Sequence, residues 1–156
     1  MTSGKYLLAA AAAIAPVAAV SWMYFAESGS QGSAIRVDVR DETQLLRGHA
    51  IYEQHCAACH GQKLEGQPDW RTRRPDGRLP APPHDDSGHT WHHPDAVLFG
   101  IVKHGLVPPY APAGYKSDMP GFASVLRDED IAAVLAYIES KWPTRVWKAR
   151  EEMLGP

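Results

Sequence analysis

The chain has 156 residues, 44% hydrophobic and 22% charged, which suits one small packed domain and leaves too little for two. Its 16 basic and 18 acidic residues give a formal charge of −2, and without residues 1–26, which hold Lys5 and no acid, the balance falls to −3. That balance argues against nucleic-acid binding, which asks for a net basic footprint.

Residues 6–26 form an uncharged run of Ala, Val, Leu, Ile and aromatics. It is long enough to span a bilayer as a helix, for which about 20 apolar residues are needed. Two versions compete. A cleaved leader would use a small-residue site such as Val17-Ala18-Ala19. An uncleaved anchor is favoured, because the run continues through Trp22, Met23, Tyr24 and Phe25, and such aromatics collect at the membrane–water boundary. Lys5 before the run and Glu27 after it predict a cytoplasmic N-terminus, with the rest of the chain on the other side.

Residues 27–33, Glu-Ser-Gly-Ser-Gln-Gly-Ser, have the composition of a flexible linker. Ile35, Val37 and Val39 alternate with polar residues as in a short strand, but nothing obvious pairs with them, so 34–40 reads as an extended lead-in. The domain then runs from 41 to 143. Its first helix starts near Asp41 or Thr43, either of which can cap, and places Leu45, Leu46, His49, Tyr52 and Glu53 at helical spacing. Gly48 and Tyr52, four apart, share a face.

That helix leads into Cys56-Ala57-Ala58-Cys59-His60, which holds both cysteines of the chain. Two thiols spaced by two residues can each add to one vinyl group of a haem, with the following histidine under the iron, and C-x-x-C-H is read as c-type haem attachment. The competing readings make demands that go unmet. A zinc site needs further Cys or His ligands at comparable spacing, for which only His84, His89, His92 and His93 offer themselves. A thioredoxin-like pair needs a βαβ pattern with strand-like apolar runs, and none lies nearby; a chance disulfide is the third competing reading.

Residues 61–88 read as a loop carrying Pro68, Pro75, Pro80, Pro82 and Pro83, a length that a compact domain tolerates when the loop wraps a cofactor. A helix follows from His93 or Pro94 to about His104, with Thr90 or His92 near its cap and Pro94 and Asp95 in its first turn. Its apolar face is Val97, Leu98, Ile101 and Val102, and Gly105 ends it. A second Pro/Gly loop, 106–118, leads to Met119-Pro120-Gly121-Phe122. The last clear helix begins near Arg127-Asp128, carries Ile131, Val134, Leu135 and Ile138, and is stopped by Trp142-Pro143. Residues 144–156 form a tail, with a short amphipathic helix over 144–154 that has Val146 and Trp147 on its apolar side.

A haem iron needs a sixth ligand or an open position. Of four methionines, Met1 is the initiator, Met23 lies in the apolar run and Met153 in the tail, which leaves Met119. Its thioether is a soft neutral donor, and His/Met ligation raises the haem potential. The alternative is a core gap-filler. The prolines around Met119 favour ligation, because they hold the segment still.

Gly48-x-x-x-Tyr52 before Cys56-Ala57-Ala58-Cys59-His60-Gly61, then Met119-Pro120-Gly121-Phe122, then Val134-Leu135-Ala136-Tyr137-Ile138 make residues 46–142 resemble a class I monohaem c-type cytochrome in a membrane-anchored bacterial form. The resemblance implies an all-α fold of helices packed around one covalently bound haem c, preceded by a transmembrane helix. It implies thioethers at Cys56 and Cys59, and His60 and Met119 as axial ligands. It also implies that Gly48 and Tyr52 meet Val134 and Tyr137, and that a proline carbonyl, of Pro82 or Pro83, accepts the proximal imidazole N–H.

The expected function is one-electron transfer without substrate chemistry. The haem domain would lie on the periplasmic side of the inner membrane, with a quinol-oxidising complex, a terminal oxidase or a copper or haem reductase as partner. One alternative is a haem enzyme or sensor whose distal site opens, with His104 or the histidines at 89–93 as the only hints. Another is a copper-handling module built on His84, His89, His92 and His93, against which stands a polar loop that bonds propionates or caps a helix. Arg71, Arg73, Arg74 and Arg78 either steer an acidic partner or pair with propionates, Asp69 and Asp76.

Overall fold

A computed structural model describes residues 36–155 of the chain. The 6–26 anchor and the 27–33 linker therefore lie outside the described residues. No described helix is long and apolar enough to cross a membrane, and no strand occurs among the described residues.

Residues 36–38 run without regular structure into a turn at 39–40. They are held to the first helix by Gln44, whose side chain accepts from the Asp38 N–H at 2.7 Å and donates to the Arg36 carbonyl at 2.9 Å. Helix α1 (Glu42–His55) starts where Asp41 accepts the Gln44 N–H at 3.1 Å, satisfying one of the donors a helix N-terminus leaves open. It ends at Cys56, and one further turn, α2 (Ala57–His60), carries the thiol motif. After a long loop come a 3-10 turn (Thr90–His92) and α3 (Asp95–His104), then a second loop, α4 (Asp128–Ser140) and α5 (Thr144–Leu154).

Helix α4 is the centre of the domain: every residue from Ile131 to Glu139 is buried. Three acids, Asp128, Glu129 and Asp130, occupy its first turn, where the helix dipole favours them, and Asp130 reaches back to the Arg127 N–H. Helix α1 crosses it so closely that a Cβ on Gly48 would overlap the Ala133 carbonyl and sit 2.9 Å from Tyr137 Cβ. Gly48 thus meets Ala133 and Tyr137, the second of which is the contact expected for it. Beside this crossing Tyr52 is fully buried against Tyr137, ring centroids 5.5 Å apart.

Three other expectations change. The buried face of α1 is Gly48, Ile51 and Tyr52, and Leu46 is 66% exposed, because a glycine marks the contact where an apolar count looks for a large side chain. Pro94 caps α3 from outside its first turn, and Thr90 and His92 belong to the separate 3-10 turn. Of the apolar face expected for α3, Leu98 is buried and Val97, Ile101 and Val102 are half-buried.

The tail helix α5 packs on the 3-10 turn. Val146 is buried, Trp147 packs against the core, and the buried Arg150 donates to the Trp91 carbonyl at 2.9 Å and pairs with Asp95 at the start of α3. The tail therefore braces the segment that follows the first loop.

Candidate functional site

The C-cap of α1 and the single turn of α2 place Cys56, Cys59 and His60 within five residues of chain. Both cysteines are free thiols, Cys56 half-buried and Cys59 exposed. Burial, with Cys59 beside it, pushes the Cys56 thiol up to about 11, so it is held protonated. The His60 ring is buried, and its Nδ1 lies 2.8 Å from the Pro82 carbonyl. A carbonyl can only accept, so Nδ1 carries the proton and Nε2 keeps its lone pair. Of the two candidate prolines, Pro82 is the partner. Burial lowers the His60 pKa while the Pro82 bond works against that shift, and the ring is neutral, as a metal ligand must be.

The motif is also held from behind. Tyr52 Oη donates to the Gly61 carbonyl at 2.8 Å, and the Gly66 N–H donates to the His60 carbonyl at 2.7 Å. Burial raises the Tyr52 pKa, which keeps the phenol a donor.

Met119 lies in the second loop, and three contacts place its segment. The Phe122 N–H donates to the Val102 carbonyl at 2.9 Å and the Ala123 N–H to the Lys103 carbonyl at 3.1 Å, so residues 119–123 lie along the end of α3. Gly121 permits this, since a Cβ there would come within 2.8–3.0 Å of the His104 and Lys103 backbone. The Phe122 ring meets the edge of His55, centroids 6.2 Å apart, which brings the segment to the residue preceding Cys56. Finally, Asp118 takes Arg78 Nε at 2.8 Å and Arg74 at 3.3 Å.

The arginine cluster thus ties the first loop to the second. Arg78 also pairs with Asp76, Arg73 donates to the Gly77 carbonyl at 2.6 Å, and Lys116 reaches the Asp76 carbonyl at 3.1 Å. Arg71 lies over the Trp70 ring, 3.8 Å from its centroid. Neither Asp118 nor the role of these arginines in holding Met119's neighbour was visible in local sequence, because the pairs span about forty residues of chain.

The four histidines expected as a possible copper cluster do not gather. His84 turns inward and stacks on His60, His89 stacks on Trp70, and His92 packs edge-on against Trp91. Among the described residues no group of three or more His, Cys, Asp or Glu side chains converges to hold a metal ion. His89 and His93 do meet edge-on, centroids 5.5 Å apart, but the pair gains no third ligand.

A helical domain with two free thiols one turn apart, followed by a buried imidazole with an open Nε2, is a c-type cytochrome domain. The chain belongs to the family of cytochrome C oxidase, cbb3-type, subunit III, whose model matches residues 43–138, from the start of α1 into the last turn of α4. No curated protein and no solved structure matches the chain. The cofactor of this domain is haem c, and the donor set fits it: thiols at Cys56 and Cys59 and a neutral, oriented imidazole at His60.

Proposed function

We propose that the protein is a one-electron carrier whose haem is attached through Cys56 and Cys59 and whose iron is held by His60 and Met119. The observation that carries this reading is the 2.8 Å bond from His60 Nδ1 to the Pro82 carbonyl, which fixes the tautomer of a buried ring and leaves Nε2 the lone pair that a metal takes. When bound, haem supplies a one-electron iron couple.

The residues of the chain set the conditions for that couple. The Pro82 bond makes His60 more basic and fixes its tautomer. The thioether of Met119 is soft and neutral and favours the ferrous state. The Gly121 contact with α3 and the two arginines on Asp118 hold the methionine segment against displacement. Around this domain, 41–143, we place an anchor at 1–26, a linker and lead-in at 27–40, and a tail at 144–156. The anchor sits in the inner membrane of a bacterium and the haem domain on its periplasmic side. The family points to a terminal oxidase of the cbb3 type as partner; a quinol-oxidising complex or a copper or haem reductase would be reached through the same brief encounters, which need only small interfaces.

The test is the ferric spectrum of the haem-loaded full chain beside that of Met119→Ala. The parent shows the weak near-infrared band of iron–thioether ligation and the variant loses it. A parent without the band that binds carbon monoxide readily when reduced has an open distal site, and the carrier reading then gives way to an enzyme or sensor.

A further inference from the structure

His84 has no place in the motifs above, yet it makes the most intimate contact with the proposed proximal ligand. The two rings are stacked, centroids 4.0 Å apart and planes 21° from parallel. His84 is anchored on every side: its N–H donates to the Leu64 carbonyl at 2.8 Å, its carbonyl accepts Trp142 Nε1 at 2.8 Å, and Tyr52 meets its ring edge-on. Its Nδ1 lies 2.8 Å from Thr90 Oγ1, whose hydroxyl donates to the Pro83 carbonyl at 3.4 Å. With that proton committed, Thr90 oxygen accepts from Nδ1–H, and the His84 ring is locked in one rotation.

An imidazole is a poor choice for mere filling. Burial disfavours its charged form, as does His60 beside it, and a leucine would occupy the space without leaving polar atoms to satisfy. What the imidazole adds is a flat face that Thr90 can hold at a set angle.

We propose that His84 is a positioning residue for the proximal ligand, a claim that rests on His60 being that ligand. Residues 82–84 grip His60 in two directions. Pro82 holds the ring by its edge through Nδ1, which leaves rotation out of the ring plane; the locked face of His84 blocks that rotation. The direction of the axial imidazole plane, and with it the asymmetry of the iron's ligand field, is then set by the Thr90–His84–His60 stack.

The experiment uses the haem-loaded full chain in the ferric state. It reads the proton shifts of the four haem methyl groups and the low-temperature EPR g values, both of which report the direction of the axial imidazole plane. His84→Ala and Thr90→Val are expected to change the order or spread of the methyl shifts and the g anisotropy, and His84→Phe, which keeps a stacked face, to fall closer to the parent than His84→Ala does. If His84→Ala fails to mature, Thr90→Val decides alone, since it frees the ring without removing it. Parental shifts and g values in every variant that loads haem would overturn the proposal. Strongly shifted imidazole protons that vanish in His60→Ala identify the ligand in the parent. Their presence together with unchanged variants overturns the role of His84 alone, and their absence overturns the ligation reading and this proposal together.

Discussion

Glu139 is a carboxyl the fold has buried at 2% exposure near the end of α4, with one oxygen unpartnered among the described residues. It faces Asp95 of α3 and Arg150 of α5, and shares with them a pocket of about 310 Å³ lined also by Arg36, Asp38 and Arg40 of the lead-in. Burial, then the charge of Asp95, pushes its pKa from 4.5 to about 8, with Arg150 pulling the other way. Between those two values the folded protein holds a proton that the unfolded chain has released, so stability falls as pH rises. Each pH unit in that window costs the fold about 1.4 kcal/mol, with a ceiling of roughly 4–5 kcal/mol over the whole of it. Glu139→Gln keeps the neutral shape and removes the proton.

The assay is denaturant unfolding of the ferric haem-loaded protein at pH 5, 6, 7 and 8. The variant is expected to match the parent near pH 5 and to gain on it steadily, by roughly 2–4 kcal/mol at pH 8, at an unchanged denaturant slope. The lowered pKa values of His60, His84, His89 and His93 give both proteins a contribution of the opposite sign below about pH 6.5, which cancels in the difference. Parallel pH profiles for parent and variant would refute the reasoning.

Gly48→Ala forces α1 away from the Ala133 carbonyl and is expected to cost about 1–3 kcal/mol in thermal or denaturant unfolding, the usual range for overpacking. Tyr52→Phe removes the donor to the Gly61 carbonyl and is expected to lose about 1–2 kcal/mol by the same measurement. Asp118→Ala frees the methionine segment from two arginines. Because both pairs are partly exposed, imidazole titration of the ferric protein is expected to show an affinity gain of only about 2–5-fold at low salt, vanishing at high salt. Arg150→Ala leaves the Trp91 and His93 carbonyls without their donor and is expected to cost about 1–3 kcal/mol, read as a lowered melting temperature.

Much of the fold was legible because its signals are local. Asp41, Gly105 and Trp142-Pro143 bound their helices where capping chemistry puts them. The thiol motif with its histidine needed only spacing, while Met119 as a ligand is a proposal reached by elimination. What stayed hidden depends on direction in space. Pro82 and Pro83 are alike in sequence, and which carbonyl faces His60 is decided by the path of the loop. Leu46 counted as apolar and Gly48 did not, though the helix crossing selects the residue without a side chain. The Asp118 pairs and the reach of Arg150 from the tail to Trp91 join residues forty or more apart, beyond any periodicity. His84 looked like one of four clustered histidines, and only its stack on His60 separates it from the rest.

The central claim is the ligand set of the iron, and X-ray absorption at the iron edge of the ferric haem-loaded chain reads that set directly. The account predicts a six-coordinate iron with five nitrogen scatterers and one thioether sulfur, the sulfur disappearing in Met119→Ala. A first shell of nitrogen and oxygen alone, or a five-coordinate iron, in the parent protein would contradict it.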